Sequence, residues 1–182
     1  MRTTTLGTDG PEIGVLGLGC MGMSFGYDMA APRDEETSVS VIRQAIDLGM
    51  TLIDTADIYG LYTNEELVGR ALVGSYRERA VLAANVGVTA RDNAAAVALP
   101  GPVPDGRPEH IRKSIDESLR RLGTDHVDLY QLHRIDPEVP VEESWGALAE
   151  TVAADKVRPS PTVSARARRR WRSPGCWPRA NT

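Results

Sequence analysis

The sequence predicts an α/β fold built on a parallel sheet. Four short apolar, β-prone runs lie at residues 13–18, 51–54, 80–84 and 126–132. Each run is followed by a segment in which apolar residues recur at helical spacing. Strands that alternate with helices in this way pair in parallel through right-handed crossovers. The periodicity fits an open doubly wound sheet and a closed barrel equally well.

The first predicted elements have clear end signals. Residues 3–6 form a further β-prone run, and the glycine-bounded turn at 7–10 predicts that it pairs with the next run as a hairpin. Asp34 is a typical N-cap residue for the first helix, and Gly49 is placed to end that helix. Asn64 is predicted to cap the second helix.

The later elements have similar signals. Pro108 suits the first position of a helix that ends at Gly123. Pro140 opens the last helix, whose apolar face is predicted to bury Trp145 in the core. Residues 88–106 are rich in Ala, Gly and Pro and predict a long loop, which in a compact domain is more often functional or mobile than idle.

Composition indicates a globular chain without a membrane segment. Of the 182 residues, 41% are hydrophobic and 25% are charged. No stretch approaches the ~20 apolar residues that span a bilayer, and acidic residues precede the first apolar run, which does not fit a secretory signal. Cys20 and Cys176 lie far apart and suggest no disulfide framework. We therefore expect a cytoplasmic protein with no membrane partner.

Polar residues suited to catalysis follow the predicted strands. Asp54 and Tyr59 follow the second run, Asn85 the third and His133 the fourth. Chemistry in parallel sheets collects in the loops after the strand carboxyl ends, so these residues are candidates for one site. Taken alone, Asp54 and Tyr59 are more typical of a strand-end cap and a core tyrosine than of a catalytic pair.

Four segments together resemble the aldo-keto reductase family. They are the glycine-rich segment 17–24, the Asp-Thr-Ala-Asp-Ile-Tyr-Gly segment 54–60, the Ser-Leu-Arg-Arg-Leu-Gly segment 118–123 and the strand-like segment 128–136. Their order and spacing fit that family from about residue 4 to residue 158. The resemblance implies a (β/α)8 TIM barrel, of which this chain would form an N-terminal β-hairpin and about four βα units. It also implies NADPH as hydride donor and reduction of small-molecule aldehydes or ketones to alcohols.

The resemblance assigns roles to particular residues. Tyr59 matches the general acid that protonates the developing alkoxide, and His133 matches the residue that orients the carbonyl. Asp54 matches the aspartate that holds a lysine beside the tyrosine and also lies near the cofactor. Three further residues match the first-strand loop that lines the cofactor: Gly19, Cys20 and Met21. No metal ligand is implied.

Asn85 departs from the family pattern. It occupies the position at which the resemblance implies the catalytic lysine. The only lysines are Lys113 and Lys156, and neither lies where it could replace that residue. An asparagine amide donates a hydrogen bond but supplies no charge to lower the tyrosine pKa. We expect weak catalysis at best.

The end of the chain has a different composition. Residues 157–182 contain seven arginines and no acidic residue, together with two of the three tryptophans. A complete barrel takes about 250 residues, so we expect residues 1–158 to be the N-terminal part of a barrel. We expect residues 159–182 to be an Arg/Pro-rich tail that is out of frame or disordered. A nucleic-acid-binding tail is the competing interpretation, but no recognised nucleic-acid fold accompanies it, so no nucleic acid partner is expected.

Two functions of different class remain open. One is NADPH-dependent carbonyl reduction, and the other is a non-catalytic interaction or cofactor-binding protein of the same fold. A partial barrel would leave strand edges open, which predicts self-association. Cofactor binding without turnover would favour the second function.

Overall fold

A computed structural model describes residues 1–8, 10–24, 34–89 and 103–158 of the chain. Its centre is a four-stranded parallel sheet made of β3 (Leu18–Gly19), β4 (Leu52–Ala56), β5 (Val81–Val86) and β8 (Leu129–Leu132). The spatial order is β3-β4-β5-β8, with every neighbouring pair parallel. The predicted α/β fold with a parallel sheet is therefore confirmed.

The N-terminal hairpin is present, but its second strand is shorter than predicted. Strand β1 (Thr3–Thr5) pairs antiparallel with β2 (Glu12–Gly14). The run predicted as one strand over 13–18 is therefore divided. Its start belongs to the hairpin, and its end joins the parallel sheet, where Leu18 lies opposite Ile53. Local β-propensity does not show this change of partner, because pairing is decided by segments distant in the sequence.

The described residues form five α-helices beside the sheet. They are α1 (Glu35–Asp47), α2 (Thr63–Ala71), α3 (Ser75–Arg79), α4 (Pro108–Leu122) and α5 (Val141–Ala153). A 3₁₀ turn (Met21–Met23) follows β3. The short helix α3 was not predicted, since five residues are too few to show helical periodicity.

Most of the predicted helix ends are confirmed. The Asp34 carboxylate accepts hydrogen bonds from the backbone N–H groups of Glu36 and Thr37, at 3.3 and 3.2 Å. Pro108 is the first residue of α4, and Gly123 ends it with a φ of 65°. A positive φ at a helix end is the conformation that glycine adopts most easily.

Two predictions about the helices are wrong. Asn64 does not cap α2, because Tyr62 is the residue before that helix and the Asn64 side chain is fully buried. Trp145 is not in the core, because 37% of its surface is exposed. Helix α5 instead buries Ser144, Ala147, Leu148 and Thr151.

The ends of the predicted loop at 88–106 pair with each other. Strand β6 (Val88–Thr89) runs antiparallel to β7 (Val103–Pro104). Residues 90–102 between them lie outside the described residues, as does the tail at 159–182. The predicted nature of that tail therefore stays a prediction.

The main hydrophobic core lies between the sheet and the helices. It joins apolar side chains of β4 and β5 to those of α1, α2 and α4; its buried members include Val39, Ile42, Ile46, Ile53, Leu67, Val68, Leu82, Ala84 and Ile115. Burial of such side chains contributes about 1.5–3 kcal/mol each and holds the strands in register. No helix in the described part of the chain is long and apolar enough to cross a bilayer.

Candidate active site

Neighbouring strands bring Asp54 and Asn85 together. Asp54 lies in β4, and Asn85 is near the end of β5, where it pairs with Ala56. The Asn85 Nδ2 donates hydrogen bonds to Asp54 Oδ2 at 3.0 Å and to the carbonyl of Thr55 at 2.8 Å. Both side chains are half-buried. The amide therefore ties the β5 strand end to the carboxylate and the backbone of β4.

The environment of Asp54 disfavours its charged form. Burial raises the pKa of this carboxyl above its ordinary value. The Asn85 amide and the charge of His133 oppose that shift, since both stabilise the carboxylate. A neutral amide is a weaker counterweight to burial than a cation would be.

Tyr59 and His133 meet edge to face. Their ring centroids are 5.7 Å apart, with an angle of 85° between the ring planes. Tyr59 is held by a turn after β4, in which its N–H donates to the carbonyl of Ala56 at 3.2 Å. The His133 N–H donates to the carbonyl of Val86 at 2.7 Å, which continues the pairing of β8 with β5. Backbone bonds to the sheet thus place both rings at one edge.

His133 favours its neutral form. Burial lowers the pKa of its imidazole, and the nearby charge of Arg134 lowers it further. Asp54 acts in the opposite direction. The His133 Nδ1 is buried and has no hydrogen-bond partner among the described residues. Protonating that nitrogen would leave a charged N–H unsatisfied, which is costly.

The predicted cofactor residues follow β3 beside Asp54. Gly19 pairs with Asp54 in the sheet and is exposed, and no atom of the described residues lies within 4 Å of the place where a Cβ would be. Met21 is half-buried. Cys20 is fully buried in the main core, and burial, with Asp54 nearby, raises the pKa of its thiol to about 12. Gly19 is therefore the residue at this strand end whose backbone a ligand can reach.

The sequence pattern did not reveal that Asn64 links the strand of Asp54 to the segment after β3. Its side chain contacts both Thr55 in β4 and the carbonyl of Cys20 after β3. A signal for this was available, because Asn64 shares helical spacing with the buried residues Leu67 and Val68. A polar residue on the apolar face of a helix is expected to need a buried partner.

The four predicted catalytic positions therefore lie at the carboxyl-terminal edge of the sheet. Asp54 contacts Asn85, Tyr59 contacts His133, and the pKa values of Asp54 and His133 depend on each other. This arrangement combines a phenol, an imidazole, a carboxylate and an amide in one place.

A sequence model of the aldo/keto reductase family matches residues 15–160. The chain belongs to this family. An aldo-keto reductase of Glycine max, named Probable aldo-keto reductase 1, is 40% identical over 158 residues. That match includes 87% of this chain and 43% of the Glycine max protein. The chain thus spans less than half the length of this curated aldo-keto reductase.

Solved aldo-keto reductases share the fold. The aldo-keto reductase AKR11C1 from Bacillus halodurans, in its holo form, has a TM-score of 0.73 and 32% identity; the match covers 87% of this chain and 48% of that one. The thermostable aldo-keto reductase Tm1743, solved with the inhibitor epalrestat, has a TM-score of 0.68 and 34% identity, with coverage of 87% and 52%. These similarities confirm the predicted partial TIM barrel.

Proposed function

We propose that this aldo/keto reductase chain serves NADPH-dependent reduction of aldehydes or ketones, with Tyr59 as general acid. The observation that carries the proposal is the convergence of Tyr59, His133, Asp54 and Asn85 at one edge of the sheet. Family membership supports oxidoreduction of small-molecule carbonyls.

Each residue has a role that its chemistry permits. The phenolic O–H of Tyr59 supplies the proton that a carbonyl oxygen takes up during reduction. His133, with its lowered pKa, presents a neutral imidazole that can donate a hydrogen bond to the same oxygen. Its edge contact with the Tyr59 ring keeps the two groups adjacent.

The backbone after β3 fits a flat cofactor ring. In the part of the chain that the structure describes, a Cβ at Gly19 would meet no atom within 4 Å, so a ring can approach this exposed strand end beside Asp54. Met21 follows on the same segment and is accessible. A nicotinamide cofactor bound here would supply the hydride. Gly19 and Met21 would then hold one side of it.

Asn85 limits the expected rate. A lysine at this place would put a positive charge near Tyr59 and favour ionisation of its phenol. A unit charge at ~4 Å in an effective dielectric of ~20 is worth roughly 4 kcal/mol. The Asn85 amide donates to Asp54 but brings no such charge. We expect turnover well below that of a site with the lysine.

Tyr59→Phe tests the proposal. The change removes one hydroxyl and keeps the ring that packs on His133. We expect aldehyde-dependent oxidation of NADPH to fall at least about 10²-fold, the usual contribution of a general acid. Tyr62→Phe is the matched control, because that ring packs on Arg121 outside the site and should keep its activity. Unchanged turnover in Tyr59→Phe would show that Tyr59 is not the acid.

A non-catalytic, cofactor-binding role is the second candidate, and Asn85 favours it. If the neutral amide leaves the phenol inactive, the chain binds NADPH without oxidising it. Fluorescence titration with NADPH, followed by an assay with a panel of aldehydes, separates the two functions. Binding with no oxidation supports the second, and measurable oxidation supports the first.

We also propose that the chain self-associates through its sheet edges. Among the described residues, β3 and β8 each pair on one side only, and Gln131 in β8 is exposed. Unpaired strand edges are templates for pairing with another chain. Sedimentation velocity should show dimers or larger species that increase with concentration. A monomer at all concentrations would contradict this proposal.

A further inference from the structure

The Asn64 side chain makes hydrogen bonds to three residues outside its own helix. It lies in the first turn of α2 and is fully buried. Its Oδ1 accepts a hydrogen bond from Thr55 Oγ1 at 2.7 Å. Its Nδ2 donates to the carbonyl of Cys20 at 2.9 Å and to Ser24 Oγ. One amide therefore joins α2, β4 and the segment after β3.

These contacts surround the candidate active site. Thr55 follows Asp54 in β4, and the N–H of Cys20 donates to the carbonyl of Asp54 at 2.9 Å. The backbone N–H of Asn64 donates to the carbonyl of Tyr59 at 3.2 Å. The backbone of Asn64 thus holds the turn that carries Tyr59, and the side chain of Asn64 holds the strand that carries Asp54.

We propose that Asn64 is a positioning residue that sets the place of the Tyr59 phenol relative to Asp54 and His133. The inference rests on the proposed role of Tyr59 as general acid. Misplacing a reacting group by about 1 Å can cost about 10²-fold in rate, so a rigid buried link has a direct effect on chemistry. Asn64 acts through Thr55, Cys20 and the Tyr59 backbone and does not touch the carbonyl itself.

The residue type matters for these contacts. Asparagine offers an acceptor and two donor hydrogens in one plane, which match the Thr55 hydroxyl, the Cys20 carbonyl and the Ser24 hydroxyl. An aspartate would offer only acceptors and an additional buried charge. A leucine would remove the acceptor of the Thr55 hydroxyl and one of the two donors to the Cys20 carbonyl, which also accepts from the N–H of Met23 at 3.0 Å.

A purely structural role makes a different prediction. If Asn64 only stabilises the fold, its loss lowers the free energy of unfolding without moving Tyr59 in the folded molecules. Ser144→Ala provides the matched control for that effect. Ser144 is also buried, and its Oγ donates to the carbonyl of Gly106 at 2.6 Å, away from the contacts of Asn64.

The test compares Asn64→Leu, Thr55→Val and Thr55→Ser in the full chain labelled with fluorotyrosine. Fluorine NMR reports the surroundings of each tyrosine, and the Tyr59 resonance is assigned by its absence in Tyr59→Phe. We expect this resonance to shift in Asn64→Leu and Thr55→Val, and to return to its original position in Thr55→Ser, which keeps the hydroxyl. Ser144→Ala should leave it unmoved.

Kinetics supply the second measurement. We expect Thr55→Val to lower kcat at least about tenfold and to change the KM for NADPH less than about threefold, because Thr55 acts on the position of the acid and not on cofactor binding. Should Asn64→Leu fail to fold, Thr55→Val decides alone, since valine has nearly the shape of threonine.

Two outcomes would overturn the inference. One is a Tyr59 resonance that stays in place in folded Asn64→Leu and Thr55→Val. The other is a shifted resonance with an unchanged kcat, in a chain whose activity Tyr59→Phe abolishes. Failure of the proposed function has its own signature, which is turnover that survives Tyr59→Phe. The fluorine resonance still decides whether Asn64 positions Tyr59 in that case.

Discussion

The Asn85 Nδ2 donates a hydrogen bond to Asp54 Oδ2 over 3.0 Å, at the point where two parallel strands end side by side. A neutral amide is thus the partner of a carboxylate whose pKa burial has raised. The bond preserves the spacing between the strands but provides no cation beside Tyr59.

Asn85→Lys should increase turnover at least about tenfold, which corresponds to only ~1.4 kcal/mol of the roughly 4 kcal/mol available from a nearby charge. Affinity for NADPH should change less than about threefold, because the charge acts mainly on the transition state. Stopped-flow oxidation and fluorescence titration of NADPH measure the two quantities. Asn85→Met is the control, since it has similar length without charge. Equal rates for the Lys and Met variants would refute the assignment of position 85.

Asp57 should make stability fall as the pH rises. Burial, with the charge of Glu65 next to it, raises the pKa of Asp57 to about 7. Between its ordinary pKa of ~3.9 and about 7, the folded protein holds a proton that the unfolded chain has lost. The free energy of unfolding therefore falls by up to ~1.4 kcal/mol per pH unit over this range.

Asp57→Asn should remove that part of the pH dependence. Its side-chain oxygen can still accept the N–H of Ile58, which lies 2.7 Å from Asp57 Oδ1. We expect the variant to match the original chain near pH 4 and to be more stable at pH 8, as measured by urea unfolding. Asp47→Asn, which changes an exposed carboxylate, should leave the slope as it was. A slope that is the same in both variants would contradict the assignment to Asp57.

The pKa of His133 should respond in opposite directions to its two charged neighbours. Asp54 raises it and Arg134 lowers it, on top of the larger lowering by burial. Asp54→Asn should therefore move the midpoint of the imidazole titration further below ~6.5, and Arg134→Gln should move it up. NMR titration of the His133 ring protons measures both. Shifts of the same sign in the two variants would show that the charges of Asp54 and Arg134 do not act on His133 in opposite directions.

The ion pair between Arg121 and Glu65 should matter far more than a surface pair. Arg121 Nε lies 2.7 Å from Glu65 Oε2, and the two side chains are 6% and 0% exposed. Arg121→Met leaves a buried carboxylate without its cation and should cost about 3–5 kcal/mol of unfolding free energy. Arg112→Met removes the exposed pair with Glu150 and should cost less than about 1 kcal/mol. Similar losses in chemical denaturation would contradict this difference.

Local chemistry predicted much of the fold. Asp34, Pro108 and Gly123 mark helix ends because caps and stops depend on backbone groups within a few residues. The single strand predicted over 13–18 was wrong for the opposite reason. Its two halves pair with segments on different sheets, and no local signal shows which partner a strand will take.

The same division applies to side chains. The prediction that Trp145 is buried was wrong, because α5 turns the face with Ala147 and Leu148 inward and leaves Trp145 37% exposed. Asn64 was expected at a helix cap and instead lies beneath the strand ends. Hydropathy and cap preference indicate the environments in which a residue type is commonly found. The packing of elements distant in the sequence decides which of these environments it occupies.

The sequence by itself determined the alternation of strands and helices, the family, and the placement of Asp54, Tyr59, Asn85 and His133 in or just after successive strands. The alternation follows from periodicity, which acts over a few residues, whereas the family and the site positions follow from the resemblance of four sequence motifs. Only the tertiary structure decided that Asn85 bonds to Asp54, that Tyr59 meets His133 edge on, and that Asn64 joins three segments. Those contacts link residues that lie 31, 74 and 44 positions apart in the sequence, and they exist because the core between sheet and helices holds the strands in one register.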